Sequence, residues 1–244
     1  MKIVHLDGAY VPADEARISP DDRGFLFGDG AYEVTRAVDG RLFELGRHLA
    51  RLRRTLHGLR IPLPDAELDS LADVHQRLLR ENGLETGEAI VYLQITRGAA
   101  PRAHAFPPAA TRPTVYLFAS ALTPPHALRE RGAAAVTYPD VRWARCDLKT
   151  VNLLPNVLAK QHAVEHDAVE AIFVRDGVVM EGAQTNVFAV IDGELRTHPS
   201  SPYILGGVTR EVVLELARGF ALPVREAPVR LDELPRASEL FLTG

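Results

Sequence analysis

The chain has 244 residues, of which 46% are hydrophobic and 25% are charged, a composition typical of a globular protein with one large domain or two small ones. Its formal net charge of -4 at pH 7 argues against a nucleic acid or an anionic membrane as the main partner. The amino-terminal residues lack the apolar stretch of a signal peptide, no run is long enough to span a membrane, and a single cysteine excludes an intramolecular disulfide, so a cytoplasmic protein is expected.

The first half of the chain is predicted to form hairpins and helices. Asp-Gly pairs at 7–8 and 39–40 lie between β-prone runs, and such pairs favour tight hairpin turns. Leucines at helical spacing predict a helix over 46–59, and a second helix is expected over 65–81. Strands are predicted at 90–96 and 114–120. The polar, proline-rich loop between them is long enough to be either functional or disordered.

The second half is predicted to begin after a pair of prolines at 124–125, which gives domains of 1–121 and 126–244. A strand over 133–139 is followed by Lys149 and by a helix that has Pro155 in its first turn. Two further Asp-Gly turns predict a meander of four strands between 169 and 197. A short helix and a last strand are expected to end the chain.

Two residues of the second half suggest carbonyl chemistry. Lys149 lies where a strand-like segment gives way to a helix, and Glu181 lies on a later predicted strand. A lysine with a lowered pKa attacks carbonyl carbons, and a carboxylate that faces a pyridine nitrogen keeps such a ring protonated. Most lysines are surface cations, so this assignment depends on the neighbouring residues.

The segment from Gly206 to Glu211 (GGVTRE) has the features of a phosphate site. Its glycines allow an anion to approach the backbone, and the N-terminus of the following helix attracts negative charge. A simple turn with a helix cap is the alternative for this segment on its own.

Three other features are given structural interpretations. His162, Glu165 and His166 match the H-x-x-E-H pattern of some zinc proteases, but no third ligand is evident, so no metal site is predicted. The pair Gly28 and Gly30 lacks the full dinucleotide fingerprint and is interpreted as a turn. Cys146 is expected to be a small buried residue rather than a reactive thiol.

The sequence as a whole resembles the fold-type IV pyridoxal-phosphate aminotransferases, and within them the D-amino-acid aminotransferase branch. The resemblance is carried, in order, by DDRGFLFGDGAYE, HLARL, YLQITRGAAPRAHAFP, VRWARCDLKTVNLLPNVLAKQ, EGAQTNVF and ILGGVTRE. It implies an α/β (α+β) fold of two domains with the active site in the cleft between them, a homodimer, and pyridoxal 5'-phosphate as cofactor. The implied reaction is transamination of D-amino acids such as D-alanine and D-glutamate with 2-oxoacids such as 2-oxoglutarate or pyruvate.

The resemblance also assigns roles to individual residues. Lys149 matches the Schiff-base lysine, and Glu181 matches the partner of the pyridinium nitrogen. Further cofactor contacts are implied at Arg51, Gln184, Thr185, Asn186, Leu205, Val208 and Thr209, and substrate contacts at Tyr32, Arg102 and His104. Gln184 stands where a small hydroxyl residue is common in the family, so its contact is expected to be weak.

Several alternatives remain open at the level of sequence. Branched-chain L-amino-acid aminotransferases, R-amine transaminases and aminodeoxychorismate lyases share Lys149, Glu181 and the phosphate turn, whereas the 101–106 loop supplies cations for a carboxylate that an amine-specific enzyme does not need. A non-catalytic protein that binds a cofactor or a metal is the alternative from another class. The family pattern continues past Thr243 with a further phosphate contact, more strand and a helix, so the second domain is expected to be incomplete at its end.

Overall fold

The computed structural model describes residues 2–244, apart from the side chain of Arg129; Met1, with which the predicted first domain begins, lies outside the described residues. The chain forms two compact units, one made of Met1–Pro124 with Leu148–Asn152 and the other of Pro125–Asp147 with Leu153–Gly244. The short segment that carries Lys149 therefore packs with the first unit, whereas the predicted ranges of 1–121 and 126–244 place it in the second domain.

The first unit is built on one antiparallel sheet. Its elements are β1 (Ile3–Leu6), β2 (Ala9–Pro12), α1 (Arg23–Phe27), β3 (Gly30–Val38), β4 (Arg41–Leu42), α2 (Leu45–Leu59), α3 (Asp65–Glu81), β5 (Glu88–Thr96) and β6 (Thr114–Ala121). The strands lie in the order β2-β1-β6-β5-β3-β4. The predicted helices over 46–59 and 65–81 and the predicted pair of strands at 90–96 and 114–120 are confirmed.

The core of the first unit lies between this sheet and the two long helices. Leu52 and Leu56 of α2 and several leucines of α3 join the inward-facing residues of β5 and β6 in one cluster. Alternate residues of β5 are buried, as expected for a strand with one face on a core. Each fully buried leucine contributes about 2 kcal/mol through the apolar surface that it removes from water.

The second unit contains two four-stranded sheets. Its elements are α4 (His126–Arg131), β7 (Ala135–Pro139), α5 (Leu154–Glu165), β8 (Glu170–Arg175), β9 (Val178–Gly182), β10 (Asn186–Ile191), β11 (Glu194–Thr197), α6 (Val208–Gly219), β12 (Val224–Glu226), β13 (Val229–Arg230), a 3-10 helix (Leu231–Arg236) and β14 (Glu239–Thr243). The sheets have the orders β13-β9-β8-β7 and β12-β11-β10-β14. Pro155 lies in the first turn of α5, as predicted.

The predicted meander of four strands is wrong in one respect. The hairpins β8-β9 and β10-β11 form, but they belong to different sheets, because the chain turns between Gly182 and Thr185, where the N–H of Gly182 donates to the carbonyl of Thr185 at 2.7 Å. The first four residues of β8 and of β10 are all buried. Strands that are buried on both faces must be covered by other elements on both sides. A single meander with one face in solvent would leave one side of β8 and β10 uncovered.

All four predicted Asp-Gly turns are confirmed. Both residues of each pair have positive φ angles, for example 50° at Asp7 and 91° at Gly8. Positive φ at both central positions is the geometry of a type I′ turn, whose twist matches that of the strands on either side.

Helix α1 was not predicted from the turn-forming residues before β3. The carboxylate of Asp22 accepts a hydrogen bond from the N–H of Gly24 at 2.7 Å and caps this single turn, and Gly28 ends it with a φ of 66°. Gly28 was interpreted as a turn residue, and the structure shows more specifically that it is the C-cap of α1. Its left-handed backbone conformation is one that glycine adopts without strain. Among the described residues, none of the helices has the length and apolar character needed to cross a membrane.

Candidate active site

Lys149 is held by its backbone in the first unit. Its N–H donates to the hydroxyl of Thr55 on α2 at 3.2 Å, and its carbonyl accepts from the N–H of Tyr32 on β3 at 3.0 Å. The ammonium nitrogen lies 4.1 Å from the centre of the Tyr32 ring. Two of the predicted site residues, Lys149 and Tyr32, are therefore in contact, and the backbone of Lys149 is hydrogen-bonded through both its N–H and its carbonyl.

Arg51 lies in a buried ionic cluster beside this lysine. Its Nε and Nη2 donate to the two oxygens of Glu33 at 2.8 and 2.7 Å, and Nδ1 of His48 lies 2.8 Å from the same carboxylate. Burial alone would raise the pKa of Glu33, but the hydrogen bonds from Arg51 and His48, helped by the charge of Lys149, hold that pKa below its usual value. Arg51 is thus a fixed, buried cation and not a solvated one.

Glu33 was missed in the sequence although a signal for it exists. It alternates on β3 with Ala31, Thr35 and Ala37, all of which are buried. A carboxylate at an inward-facing position of a strand needs a partner, because an unpaired buried charge is costly. Such a position therefore indicates a buried cation elsewhere in the same unit.

Arg102 and His104 lie together on the loop between β5 and β6. The guanidinium carbon of Arg102 is 5.2 Å from the centre of the Phe27 ring, and the His104 ring centre is 5.6 Å from the same point. Both side chains are exposed. The two predicted carboxylate contacts are thus brought together by one aromatic residue of α1.

Glu181 occupies a buried polar site in the second unit. Arg142 donates to one of its oxygens, and the other accepts from Nδ2 of Asn186 at 3.1 Å and from the N–H of Leu205 at 3.0 Å. Burial would lower the pKa of Arg142, but the hydrogen bonds to Asp140 and the charge of Glu181 raise it above its usual value. The result is a carboxylate with fixed orientation whose partner stays charged at every working pH.

Arg142 and Asp140 were also missed in the sequence. The guanidinium donates to both oxygens of Asp140, at 2.9 and 3.0 Å, and this pairing fixes the arginine. The signal was the D-x-R spacing at the end of a strand, which places the two side chains on the same side of the chain.

The predicted phosphate turn follows directly from this site. Nδ2 of Asn186 donates to the carbonyl of Leu205 at 2.9 Å and so fixes the start of the turn. A methyl group on Gly206 would meet nothing within 4 Å, whereas one on Gly207 would collide with the amide of Asn186. The turn therefore has one glycine in open space and one packed against the Glu181 site.

Helix α6 begins at Val208, which is buried, and its N-cap Gly207 makes no side-chain capping bond. The first N–H groups of a helix have no partner within the helix, so this end attracts an anion. The hydroxyl of Thr209 donates to the carbonyl of Gly244 at 3.3 Å. Thr209 is therefore oriented by the backbone of Gly244, just after β14.

Gln184 and Thr185, two of the predicted cofactor contacts, are both bound to Glu170. The N–H of Gln184 and the hydroxyl of Thr185 donate to the buried carboxylate of Glu170, at 3.2 and 3.1 Å. The side chain of Gln184 is exposed. Glu170 thus fixes the turn that precedes Asn186.

Neither alternative site has the required geometry in the described part of the chain. The rings of His162 and His166 lie 4.1 Å apart, but α5 ends at Glu165, and no group of three His, Cys, Asp or Glu residues able to hold a metal occurs among the described residues. Cys146 is buried, as predicted, and burial raises the pKa of its thiol to about 11, so the thiolate is scarce at neutral pH.

Comparison with known proteins gives the family. The sequence model of the family described as Amino-transferase class IV matches residues 30–244, a range that contains every predicted site residue. The chain belongs to the class IV aminotransferases.

Relatives of this aminotransferase agree over its whole length. A D-alanine aminotransferase of Staphylococcus epidermidis is 40% identical over 244 residues, which is all of this chain and 86% of the relative. The branched-chain amino acid aminotransferase of Escherichia coli has a TM-score of 0.90 at 25% identity, over 100% of this chain and 83% of that structure. A hypothetical aminotransferase from Mycobacterium tuberculosis, solved in a PLP-bound form, has a TM-score of 0.84 at 25% identity, over 99% of this chain and 86% of the other. The predicted fold is thereby confirmed.

The residues of the second unit fit the pyridoxal 5'-phosphate that the family implies. A buried carboxylate with fixed orientation, Glu181, suits the N–H of a pyridinium ring. The N-terminus of α6, where the N-cap Gly207 makes no side-chain hydrogen bond and a methyl group on Gly206 would meet nothing within 4 Å, suits a phosphate dianion. Leu205 directly precedes the glycines of the turn, and its N–H donates to the carboxylate of Glu181. The Glu181 site and the N-terminus of α6 are therefore neighbours in the second unit of this aminotransferase.

Proposed function

We propose that this class IV aminotransferase transfers the amino group of D-amino acids, such as D-alanine and D-glutamate, to 2-oxoacids such as pyruvate or 2-oxoglutarate, with pyridoxal 5'-phosphate as its cofactor. The full-length identity of 40% to a D-alanine aminotransferase supports the reaction. The observation that carries the proposal for this chain is the placement of Arg102 and His104 against one ring, because two adjacent donors suit a substrate that bears a carboxylate.

The cofactor would be held at its two ends. Glu181 is proposed to accept a hydrogen bond from the ring nitrogen, and Asn186 and Leu205 keep its carboxylate in place. The N–H groups at the start of α6 are proposed to bind the phosphate, with the Thr209 hydroxyl turning from Gly244 to donate to it and with Arg51 as a further contact. When bound, pyridoxal phosphate supplies an aldehyde that accepts and returns an amino group and a ring that withdraws electrons from the substrate Cα.

The remaining proposed cofactor contacts, Gln184, Thr185 and Val208, also help to position the site. Gln184 and Thr185 bind Glu170 and so fix the turn that leads to Asn186. Val208 is buried at the start of α6 and holds the helix end in place. These residues would set the position of the groups that touch the cofactor.

Lys149 is proposed to be the nucleophile and the base. Its amine would bind the cofactor until the amino group of a substrate replaces it, and the freed amine would then take the proton from the substrate Cα. The hydrogen bonds of its N–H and carbonyl fix the point from which the side chain extends. The position of the Lys149 amine therefore depends only on the torsion angles of its side chain.

Handedness would follow from the position of the carboxylate anchor. The Cα–H bond must face Lys149 for the proton to be transferred, so the side on which the carboxylate is held decides which enantiomer presents its hydrogen. Arg102 offers a planar fork of donors, His104 donates from one ring nitrogen, and Tyr32 carries a hydroxyl. These three residues are the proposed anchor.

The test compares the enantiomers directly. In stopped-flow half-reactions, we expect D-alanine to convert the cofactor spectrum faster than L-alanine, and pyruvate to restore it. Arg102→Leu is expected to slow D-alanine about tenfold or more relative to a simple amine, since a charge-assisted bond is lost. Arg112→Leu, on the same loop and also exposed, is the matched control. A preference for L-leucine or L-glutamate would refute the D-specific proposal and leave the aminotransferase activity in place.

We also propose that the protein is a homodimer in which the Arg102 loop serves the active site of the partner subunit, as the resemblance implies. The inactive variant Lys149→Ala and the impaired variant Arg102→Leu would then complement each other in the D-alanine reaction when their subunits are mixed, because a mixed dimer contains one intact site. We expect activity to return toward one quarter of the wild-type value after mixing. A dimer by light scattering without any recovery would place the loop in its own subunit's site.

A further inference from the structure

The loop with Arg102 and His104 is exposed, yet a buried arginine holds its backbone. Arg23 on α1 is 4% exposed, and its Nη1 donates to the carbonyl of Ala103 at 2.6 Å and to that of Ala105 at 3.3 Å. These two carbonyls lie on either side of His104. Loops with exposed tips are usually mobile. The two hydrogen bonds from the buried Arg23 therefore restrain the backbone on both sides of His104.

The ring of Phe27 lies at the centre of three basic side chains. The guanidinium carbon of Arg23 is 4.7 Å from its centre and that of Arg102 is 5.2 Å away, while the ring centre of His104 is 5.6 Å away. The face of an aromatic ring attracts cations, which offsets part of their mutual repulsion. Phe27 thus allows basic groups to stay close together before any anion arrives.

The base of the loop is fixed by a second arginine. Arg97 pairs with Asp29 at 2.7 Å, donates to the carbonyl of Arg60 at 2.7 Å, and lies 3.8 Å from the centre of the Phe106 ring. Gly98 has a φ of 91°, and a side chain there would collide with the carbonyl of Arg112 at the other end of the loop. Both ends and the middle of the loop are therefore anchored.

The anchor of Arg23 extends to the sheet. Its Nε pairs with Asp29 at 2.9 Å, the same carboxylate that binds Arg97. The preceding residue, Asp22, accepts from the hydroxyls of Thr96 at 2.9 Å and Thr114 at 2.7 Å, where β5 ends and β6 begins. Helix α1 is thus attached to both strands that carry the loop.

Positive charge exceeds negative charge in this cluster. Three arginines, Arg23, Arg97 and Arg102, lie near two carboxylates, of which Asp29 pairs with Arg23 and Arg97 and Asp22 accepts from uncharged donors. An excess of fixed, partly exposed cations favours a small anion, and the planar fork of Arg102 matches a carboxylate.

We propose that Arg23 and Phe27 are positioning residues for carboxylate recognition: they fix Arg102 and His104 before the substrate binds, and thereby make the enzyme prefer amino acids over amines without a carboxylate. The inference rests on the proposed role of Arg102 and His104 in the function above. Fixing these side chains in advance removes the ordering cost that binding would otherwise carry. Neither positioning residue is assigned a contact with the substrate.

The first measurement uses Phe27→Leu, which removes the ring and keeps an apolar side chain. We expect the KM for D-alanine to rise about tenfold, with kcat and the rate for isopropylamine nearly unchanged, because the interactions of the ring with Arg102 and His104 are lost. Phe25→Leu is the matched control, since Phe25 lies on the same helix and is 78% exposed. Phe27→Tyr keeps the ring and is expected to restore the low KM.

A double-mutant cycle separates positioning from general damage. In a protein that already carries Arg102→Leu and His104→Leu, Phe27→Leu is expected to change the D-alanine reaction by less than about twofold, because residues that act through one another are not additive. An equal loss for D-alanine and for the amine, or a full additive loss in the cycle, would overturn the proposal.

The second measurement does not depend on activity. Amide hydrogen exchange of residues 98–112 in the holoenzyme is expected to speed up about tenfold in Phe27→Leu and in Arg23→Lys, and to stay unchanged in Phe25→Leu. Unchanged exchange in the Phe27 variant would overturn the positioning role whatever the enzyme's activity. If the wild-type protein prefers L-amino acids, the proposed handedness fails, and the KM test is made with L-alanine in place of D-alanine.

Discussion

His75 is a buried titratable group that links the stability of the first unit to pH. It lies on α3 with no exposed surface, and its Nδ1 is 2.6 Å from the carbonyl of Leu71, while its Nε2 is buried without a hydrogen-bond partner. Nδ1 therefore carries the proton and the ring is neutral. Burial lowers the pKa of His75 from 6.5 to about 4, although the bond to Leu71 acts in the opposite direction.

The sign of the effect follows from the direction of this shift. Between pH 6.5 and pH 4 the unfolded chain binds a proton at His75 and the folded chain does not, so stability falls as the pH falls through this window. The two pKa values give a loss of about 2 kcal/mol at pH 5 relative to neutral pH, and about 3 kcal/mol once both states are protonated. This is a large fraction of the stability of an ordinary domain.

The assay is urea unfolding of wild type and His75→Leu at pH 7.5 and pH 5.0, followed by circular dichroism. The leucine removes a buried nitrogen without a partner, so we expect little loss of stability at pH 7.5. Between the two pH values the variant should lose about 2 kcal/mol less than wild type. His57→Gln is the control, because His57 is exposed on the neighbouring helix α2.

Two results would refute this reasoning. An identical loss of stability in wild type and His75→Leu would show that other groups cause the acid sensitivity. An NMR titration in which His75 protonates near pH 6.5 in the folded protein would show that the ring is not shielded as its burial requires.

Two further predictions concern the proposed chemistry. The sequence contains three lysines, and after loading with pyridoxal phosphate and reduction with borohydride, peptide mapping should find the label on Lys149. Label and turnover should be lost in Lys149→Ala and kept in Lys160→Ala. A label on Lys160 would contradict the assignment. Glu181→Gln should still bind the cofactor but slow removal of the Cα proton by orders of magnitude, since a neutral pyridine withdraws electrons poorly, and an unchanged single-turnover rate would remove Glu181 from this role.

The local structure was predictable because short sequence signals determine it. Each Asp-Gly pair forms a hairpin, and the bounds of α3 match the expected 65–81, with Pro64 before it and Asn82 after it. The assignment of strands to sheets was not predictable, because pairing depends on which faces are buried by distant segments. Nor did the sequence show that Leu148–Asn152 packs with the first unit, since this depends on hydrogen bonds to β3 and α2.

The candidate site was predicted unevenly for a related reason. The residues named from the sequence are those that match the family or that have chemistry of their own, such as Lys149 and Glu181. Their partners were not named, because the local signals for them, the inward-facing position of Glu33 on β3 and the D-x-R spacing of Arg142, are weak until the fold shows that both residues are buried. Phe27 resembled an ordinary apolar residue, and only the structure places two predicted substrate contacts beside its ring.

The buried ion pairs of the two units share one property that bears on function. Glu33 with Arg51, Glu181 with Arg142, and Asp29 with Arg23 each join a carboxylate to a guanidinium of which 7% or less of the side chain is exposed. Removing two charges from water costs about as much as their attraction returns, so apolar residues of similar size would serve stability as well or better. Breaking one pair, by contrast, costs about 3–5 kcal/mol, because an unpaired charge stays buried. Such pairs are therefore better explained by their fixing of side-chain positions than by a contribution to stability. Each pair contains or adjoins a residue of the proposed reaction. Glu33 fixes Arg51, Arg142 fixes Glu181, and Asp29 fixes the arginine that holds the carboxylate loop.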